Sequence, residues 1–386
     1  MDLIPGVVEI HDEMIAWRHE FHRYPEISLH EHKTAARVAE LLRSFGIDEV
    51  LEGVGQTGVV GVLKNDDGPV IALRADMDAL AFSDRGRHDH RSTTEGVTHA
   101  CGHDGHTSML LGAAKYLSSS RRFRGTVVFV FQPAEEIASG ARGMLEQGLL
   151  ERYGVQSIYA VHSLPGLAVG RIGITPGTAL AAVDNFKITV TGRSGHAGAP
   201  HSTRDPIVAA CGMVSGLQTI VSRTVDPIES VVVSVTSIQS SSNVHNVIPE
   251  DVRLMGTVRY LNAVYRDPVP HRMKEIVDGF AAAHGVTAFF EYERGTPPLV
   301  NASHSCELAA GVARGLLGDE GVVRLPPIMG GEDFAYFLER IPGVFAFVGN
   351  GEESAALHNA AFDFNDQALP VGASYFVRMV ETVLAL

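Results

Sequence analysis

The sequence predicts an α/β protein: a mixed, mostly parallel sheet with helices on both faces, interrupted by an inserted α+β module. Three observations predict it. Four short apolar runs rich in Val, Ile and Phe (Val70–Arg74, Thr126–Phe131, Ser157–Val161 and Val344–Gly349) read as strands buried on both faces. Helix-like and strand-like segments alternate from about residue 10 to 180, and the pattern resumes near Thr296. Between them the rhythm changes to βαββαβ. The predicted division is 1–183 and 294–386 for the α/β domain and 184–293 for the insert.

In chain order, the amphipathic N-terminal segments carry His19, His22, His30 and His32, which read as surface groups. Ala35–Phe45 has helical apolar spacing and stops at Gly46, a C-terminal cap. Gly53-Val-Gly-Gln-Thr-Gly58 matches the dinucleotide fingerprint letter by letter, yet the strand-like run Val59–Leu63 follows it. With no helix N-terminus to receive a pyrophosphate, it reads as a hairpin-like turn. Asp104 is placed to cap the helix running through Thr107–Tyr116. In the insert, Asn185–Gly192, Ser230–Ile238, Arg253–Tyr260 and Val286–Glu293 read as strands. Pro206–Val221, with Pro in its first turn, and His271–Ala283 read as helices.

A chain of 386 residues suits two domains, and 45% hydrophobic with 20% charged residues is ordinary for a globular protein. A net charge of −14 argues against a nucleic-acid surface. No apolar run approaches the ~20 residues needed to span a membrane, and the start, MDLIPGVVEIHDEM, lacks the apolar core of a signal peptide. Three cysteines make no disulfide framework, so the expected location is cytoplasmic.

The apolar runs end in groups that bind metal. The first leads into Asp76 and Asp78, the second into Glu135 and Glu136, the third into His162, and the fourth precedes His358. In open α/β sheets such strand ends line the ligand crevice, so distant residues are delivered to one edge. Cys101 and His103 open a helix-like segment; from a regular helix they would point ~200° apart, but Gly102 permits a turn. A thiolate, imidazoles and carboxylates suit Zn, Mn, Co or Ni; the plain alternative is a buried free cysteine. Glu135 and Glu136 either complement a helix dipole or diverge from a turn, one towards metal and one towards water or substrate. Asp76 and Asp78 are expected to orient ligating histidines or water. Gly192–His201 is either a glycine-rich turn or a mobile donor carried by domain closure. His88 and His90 read as part of a solvated loop.

The motifs RADMDAL (Arg74–Leu80), HACGHDGH (His99–His106), FQPAEE (Phe131–Glu136), GHAGAPH (Gly195–His201), NVIPE (Asn246–Glu250), GTVRY (Gly256–Tyr260), GGEDFAYFL (Gly330–Leu338) and LHNAAFDFND (Leu357–Asp366) span nearly the whole chain. Together they resemble the amidohydrolase branch of the aminoacylase and carboxypeptidase G metallopeptidases, which contains hippurate hydrolases and indole-acetyl-amino-acid hydrolases. The resemblance implies a di-metal aminopeptidase-like catalytic domain and a ferredoxin-like insert serving as lid and homodimer interface. It implies two divalent metal ions per subunit held by Cys101, His103, Glu136, His162 and His358, with Glu135 as general base. It implies that His196 donates to the reaction's oxyanion, reaching the neighbouring subunit's site, and that Asn246 and Arg259 bind the substrate's carboxylate. The expected reaction is hydrolysis of an N-acyl amino acid to a carboxylic acid and an amino acid. Rivals are a peptidase, an ammonia-releasing hydrolase, and a non-catalytic metal-binding module. The chain departs from the family's pattern at Ala81–Arg91 and at Ser240–His245, so acyl or amino-acid preference is expected to differ there.

Overall fold

The computed structural model describes all 386 residues, Met1–Leu386, and the chain divides into two compact units. The first comprises Met1–Gly177, Val300–Pro326 and Glu332–Leu386; the second comprises Thr178–Leu299 and Pro327–Gly331. No helix is long and apolar enough to cross a membrane.

The first unit opens with helices α1 (His11–Arg23) and α2 (His32–Ser44). α2 buries Val38, Leu41 and Leu42 on one stripe, and Gly46 follows it at φ 77°, the left-handed conformation that ends a helix. Strands β1 (Glu49–Val54) and β2 (Gly58–Asn65) pair antiparallel, so the dinucleotide-like glycine segment is a hairpin turn. β3 (Val70–Asp76), helix α3 (His103–Ser120), β4 (Gly125–Gln132), β5 (Ser157–Pro165) and β6 (Ile172–Ile174) follow. α3 buries residues on every side, as a helix inside a large core does.

The second unit supplies β7 (Ala182–Thr191), helix α4 (Pro206–Arg223), β8 (Val231–Ser240), β9 (Asp251–Tyr260), helix α5 (Pro268–His284) and β10 (Thr287–Thr296). Its sheet, in the order β8-β9-β7-β10, is antiparallel throughout. β7 alternates buried and open positions, sending Phe186, Ile188 and Val190 to one face. That face meets Met213, Leu217 and Ile220 of α4 and Met273 and Val277 of α5 in one core. Asp184, buried, accepts from the hydroxyls of Tyr260 and Tyr292 and from the Gly295 amide.

The chain returns to the first unit with helix α6 (Ser303–Leu317), β11 (Val322–Arg324), β12 (Gly343–Gly351) and helix α7 (Leu369–Val383). The eight-stranded sheet has the order β1-β2-β4-β3-β5-β12-β6-β11. Its middle strands, β4, β3, β5 and β12, are consecutive neighbours and mutually parallel. They are the four apolar runs picked out in the sequence, so their carboxyl ends lie along one edge.

Three local expectations are corrected. Asp104 does not cap α3: the helix starts at His103 after Gly102, and the Asp104 carboxylate accepts from Arg18 Nε at 2.9 Å and His22 Nδ1 at 2.8 Å. A buried guanidinium and imidazole outcompete a backbone amide for that charge. His22 is consequently buried rather than a surface group, and His90 is buried too.

Candidate metal centre

β4 leads through Pro133 into a tight turn, with Ala134 at φ 51°. The turn is held from both sides. The Ala134 amide donates to buried Glu31 Oε1 at 2.8 Å, and its carbonyl accepts from Ser139 and Gly140. A Cβ on Gly140 would sit 1.6 Å from the Pro133 carbonyl oxygen, so only glycine lets the chain close here. Asp78, just past β3, accepts the next two amides, Glu135 N at 3.1 Å and Glu136 N at 3.0 Å, and the Ser28 hydroxyl at 2.6 Å. One carboxylate thus fixes the backbone of both glutamates, whose side chains diverge.

Cys101 and His103 flank Gly102, whose φ of 90° turns the chain into α3. A Cβ there would meet Ser163 Oγ at 2.4 Å. His103 Nδ1 donates to the Asp78 carbonyl at 2.8 Å. Its Nε2 is buried without a partner, 3.7 Å from Asp76 Oδ2 and 4.0 Å from Glu136 Oε1. His162, on β5, donates from Nδ1 to the Ser163 carbonyl at 2.8 Å and places Nε2 3.5 Å from Cys101 Sγ. His358 lies beyond β12 at φ 62°, a conformation uncommon for a side-chain-bearing residue. Its amide donates to the Ala100 carbonyl at 2.7 Å, which anchors it beside the turn of Cys101. His358 Nε2 is 3.5 Å from Glu136 Oε2, and one donor atom each of Cys101, Glu136 and His358 lie within 4.8 Å of one another. The structure therefore brings Cys101, His103, Glu136, His162 and His358 to one locus, with Glu135 in reach of His103 and Glu136.

The donors fit a divalent cation. Glu136 Oε1 and His103 Nε2 are buried polar atoms with no hydrogen-bond partner, an arrangement that costs free energy unless a ligand satisfies them. Hydrogen bonding to Cys101 and Glu136 pushes His358 up to about 10 against its burial. Burial lowers His103, but Asp76, Cys101 and Asp78 outweigh it and raise the group well above its usual range. Burial and His106 hold His162 well below its usual range, keeping the neutral form that ligates metal.

Several participants escaped the sequence reading. His106 lies one turn after His103, donates from Nδ1 to Asp76 Oδ1 at 2.6 Å and accepts the Ser163 amide on Nε2 at 2.8 Å. Both its nitrogens are spent, so it orients Asp76 and offers an ion nothing. The i, i+3 spacing that puts it on the His103 face of the helix is the signal by which it could have been found. Arg74, two residues before Asp76 on the same strand face, bonds Asp76 at 2.7 Å, Glu332 at 2.8 Å and Gln132 at 2.8 Å. Behind Glu135 stand Glu332 and Asp333; burial first, then these two carboxylates and Glu136, raise the Glu135 pKa well above the usual carboxylate range.

The remaining residues singled out in the sequence belong to the second unit. His196 is exposed on a two-residue strand paired with Val247–Ile248, and its Nδ1 accepts the Gly198 amide at 2.9 Å, leaving the proton on Nε2. The exposed Asn246 accepts the Ala197 amide on its main-chain carbonyl, so its side chain takes no part in that bond. Arg259, half-buried on β9, donates from Nη1 to the Met329 carbonyl at 2.6 Å.

Comparison with known proteins agrees with this architecture. The chain is 40% identical over 377 residues to the N-acetylcysteine deacetylase of Bacillus subtilis, covering 97% of each. It is 38% identical over 381 residues to the hippurate hydrolase of Campylobacter jejuni, covering 98% of each. A solved Bacillus subtilis structure, the YXEP protein, described as a dinuclear metal binding peptidase, superposes with a TM-score of 0.85 at 36% identity, over 98% of this chain and 99% of that one. Residues 72–382, a span that runs from β3 to the end of α7, match the profile of peptidase family M20/M25/M40. This chain is a member of that family, on its amidohydrolase branch.

Proposed function

We propose that the protein is a metal-dependent amidohydrolase that cleaves N-acyl amino acids of the acetyl, benzoyl or aryl-acetyl type to a carboxylic acid and a free amino acid. The observation that carries this reading is the meeting of Cys101, His103, Glu136, His162 and His358 beside the Glu135 carboxyl. Those five side chains would hold two divalent ions of the Zn, Mn, Co or Ni type. When bound, such ions polarise the amide carbonyl and acidify water.

The chain's own groups supply the rest. Glu135 takes the proton of the attacking water and returns it to the departing amine. Its raised pKa, from burial and its carboxylate neighbours, suits a group that must hold a proton between two steps. Asp78 holds the turn that aims Glu135, and His106 with Arg74 fixes Asp76 against His103. His196, with the proton on exposed Nε2, serves as donor to the oxyanion, a contact strongest in the transition state. Asn246 and Arg259 take the substrate's carboxylate; Arg259 has N–H groups left after its one bond to Met329. A homodimer through the insert fits the open edge of β8 and the exposed Ile207, Val208 and Ile238. Three thiols without a disulfide fit a cytoplasmic setting.

The test is the metal-loaded protein on N-acetyl, N-benzoyl and indole-acetyl amino acids beside dipeptides and simple amides, read as amine released. Turnover of the N-acyl amino acids with Glu135→Gln inactive supports the reading. Turnover of dipeptides or ammonia-yielding amides alone replaces it with one of the rivals.

A further inference from the structure

A second gathering of donors lies around Arg18, apart from the strand-end cluster. α1 supplies Arg18 and His22, the loop between β3 and α3 supplies Asp84, His88 and His90, and the segment before α7 supplies Asp363 and Asp366. His22 Nε2 is 3.3 Å from Asp84 Oδ2, and His88 Nε2 is 3.9 Å from Asp84 Oδ1. The His88 ring stacks on His90 at 4.1 Å between centroids and stands edge-on to His22 at 4.9 Å. One donor atom each of His22, His88 and Asp363 lie within 4.8 Å of one another. Asp84 shapes the loop that carries His88 by accepting the Gly86 amide at 2.7 Å and the Ser92 amide at 2.9 Å.

Two features call for a cation. Both ring nitrogens of His88 are shielded from solvent and have no hydrogen-bond partner, which is not how a solvated loop histidine sits. The charge is also unbalanced. The Arg18 guanidinium pairs with Asp104, Asp363 and Asp366 and donates to His90 Nε2, while Asp84 adds a fourth carboxylate. One guanidinium faces four carboxylates, with the imidazoles of His19, His22 and His90 as their other partners, so the group has room for a further positive charge.

We propose that His22, His88 and Asp363, with Asp84 or a water completing the shell, bind a third divalent transition metal of the zinc type that pins the Ala81–Arg91 loop to α1. Two imidazoles and a carboxylate suit such an ion. Bonds of about 2.1 Å set tetrahedral donors about 3.4 Å apart, and His88, on its loop, closes the remaining distance by turning its ring. Asp104 holds His22 Nδ1 at 2.8 Å, which leaves Nε2 as the nitrogen that faces Asp84 and the ion.

The test strips the full chain with a chelator, dialyses it against Zn²⁺ alone and counts zinc per chain by mass spectrometry. Wild type should carry one equivalent more than His88→Ala, whatever number the strand-end cluster holds. Cys101→Ser, which damages that cluster, should keep the extra equivalent. Gly86→Ala is the second variant, because its Cβ would meet His88 Nε2 at 2.3 Å and push the ring aside without deleting a donor. It should weaken this equivalent at least tenfold. Equal zinc counts in wild type, His88→Ala and Gly86→Ala, all folded by circular dichroism, overturn the proposal. A failure of the strand-end reading would instead lower wild type and His88→Ala alike.

Discussion

At the strand ends, His103 and His162 each spend one ring nitrogen on a backbone carbonyl and keep the other for the centre. Around Arg18, His22 and His90 are held by the charges of other side chains, Asp104 and Asp84 for one, the Arg18 guanidinium for the other. A carbonyl tether fixes tautomer and ring direction before any ligand arrives, which is what a reacting centre needs. A side-chain network instead sets direction through charge balance, so protonation and ion binding can redraw it. The same residue types therefore make a preorganised site in one place and an adjustable clasp in the other.

The comparison breaks first at Glu135. Glu135→Gln keeps the shape and removes the base, so kcat should fall by about 10²–10⁴-fold while zinc content by mass spectrometry stays at the wild-type value. Full activity in that variant would remove the base assignment. Next come the two buried arginines. Arg74→Met leaves Asp76, Glu332 and Asp333, all buried, without their cation and should cost about 3–5 kcal/mol of stability. Arg18→Met also strands three carboxylates, but Asp363 and Asp366 are 35% and 25% exposed, and water relieves them. Its loss should be smaller by about 1–2 kcal/mol. Denaturant midpoints in the opposite order would mean the Arg18 network is the stiffer one.

The same contrast explains what could be read from the sequence. Parallel strands announce themselves as apolar runs, and the residues just past them are delivered by chain continuity, so the approach of Glu136, His162 and His358 was legible. Gly102 was legible too, since Cys and His two apart can share a centre only across a turn. Pairings between side chains far apart in sequence were not. Arg74 meets Glu332 across 258 positions, and an arginine inside an apolar run gives no sign of which carboxylates will surround it. Asp104 looked like a helix cap because the local pattern allows it, and no local pattern discloses that Arg18, 86 positions earlier, takes its charge. His88 and His90 looked solvated because polar loops usually are.

His22 sharpens the comparison through pH. Its pKa stands at about 9 because Asp104 and Asp84 outweigh burial, against an ordinary value of 6.5. The stabilisation from its proton is therefore fully present below about pH 6.5 and lost as pH rises through about 9. The shift corresponds to about 3–4 kcal/mol. With chelator present to exclude metal, wild type should exceed His22→Gln in unfolding free energy at pH 6, and the gap should close by about pH 10. A gap that does not change with pH would show that His22 acts by packing alone.

The smallest expected effect tests whether the strand-end centre really depends on main-chain tethering. Asp78 accepts the amides of Glu135 and Glu136 on separate oxygens and lies 3.3 Å from His103 Nδ1. Asparagine keeps the size but turns one acceptor into a donor, so one amide loses its partner and the glutamate turn loosens. Chelator competition on Asp78→Asn should show metal bound about 10–100-fold more weakly at the strand ends, with the unfolding midpoint little changed. Asp84→Asn is the matched change in the other region, since Asp84 also accepts two backbone amides. It should leave strand-end affinity untouched, because its amides belong to the loop that carries His88. Equal losses in the two variants would mean that the two clusters share one electrostatic field, and the distinction between a tethered and a charge-balanced site would not hold.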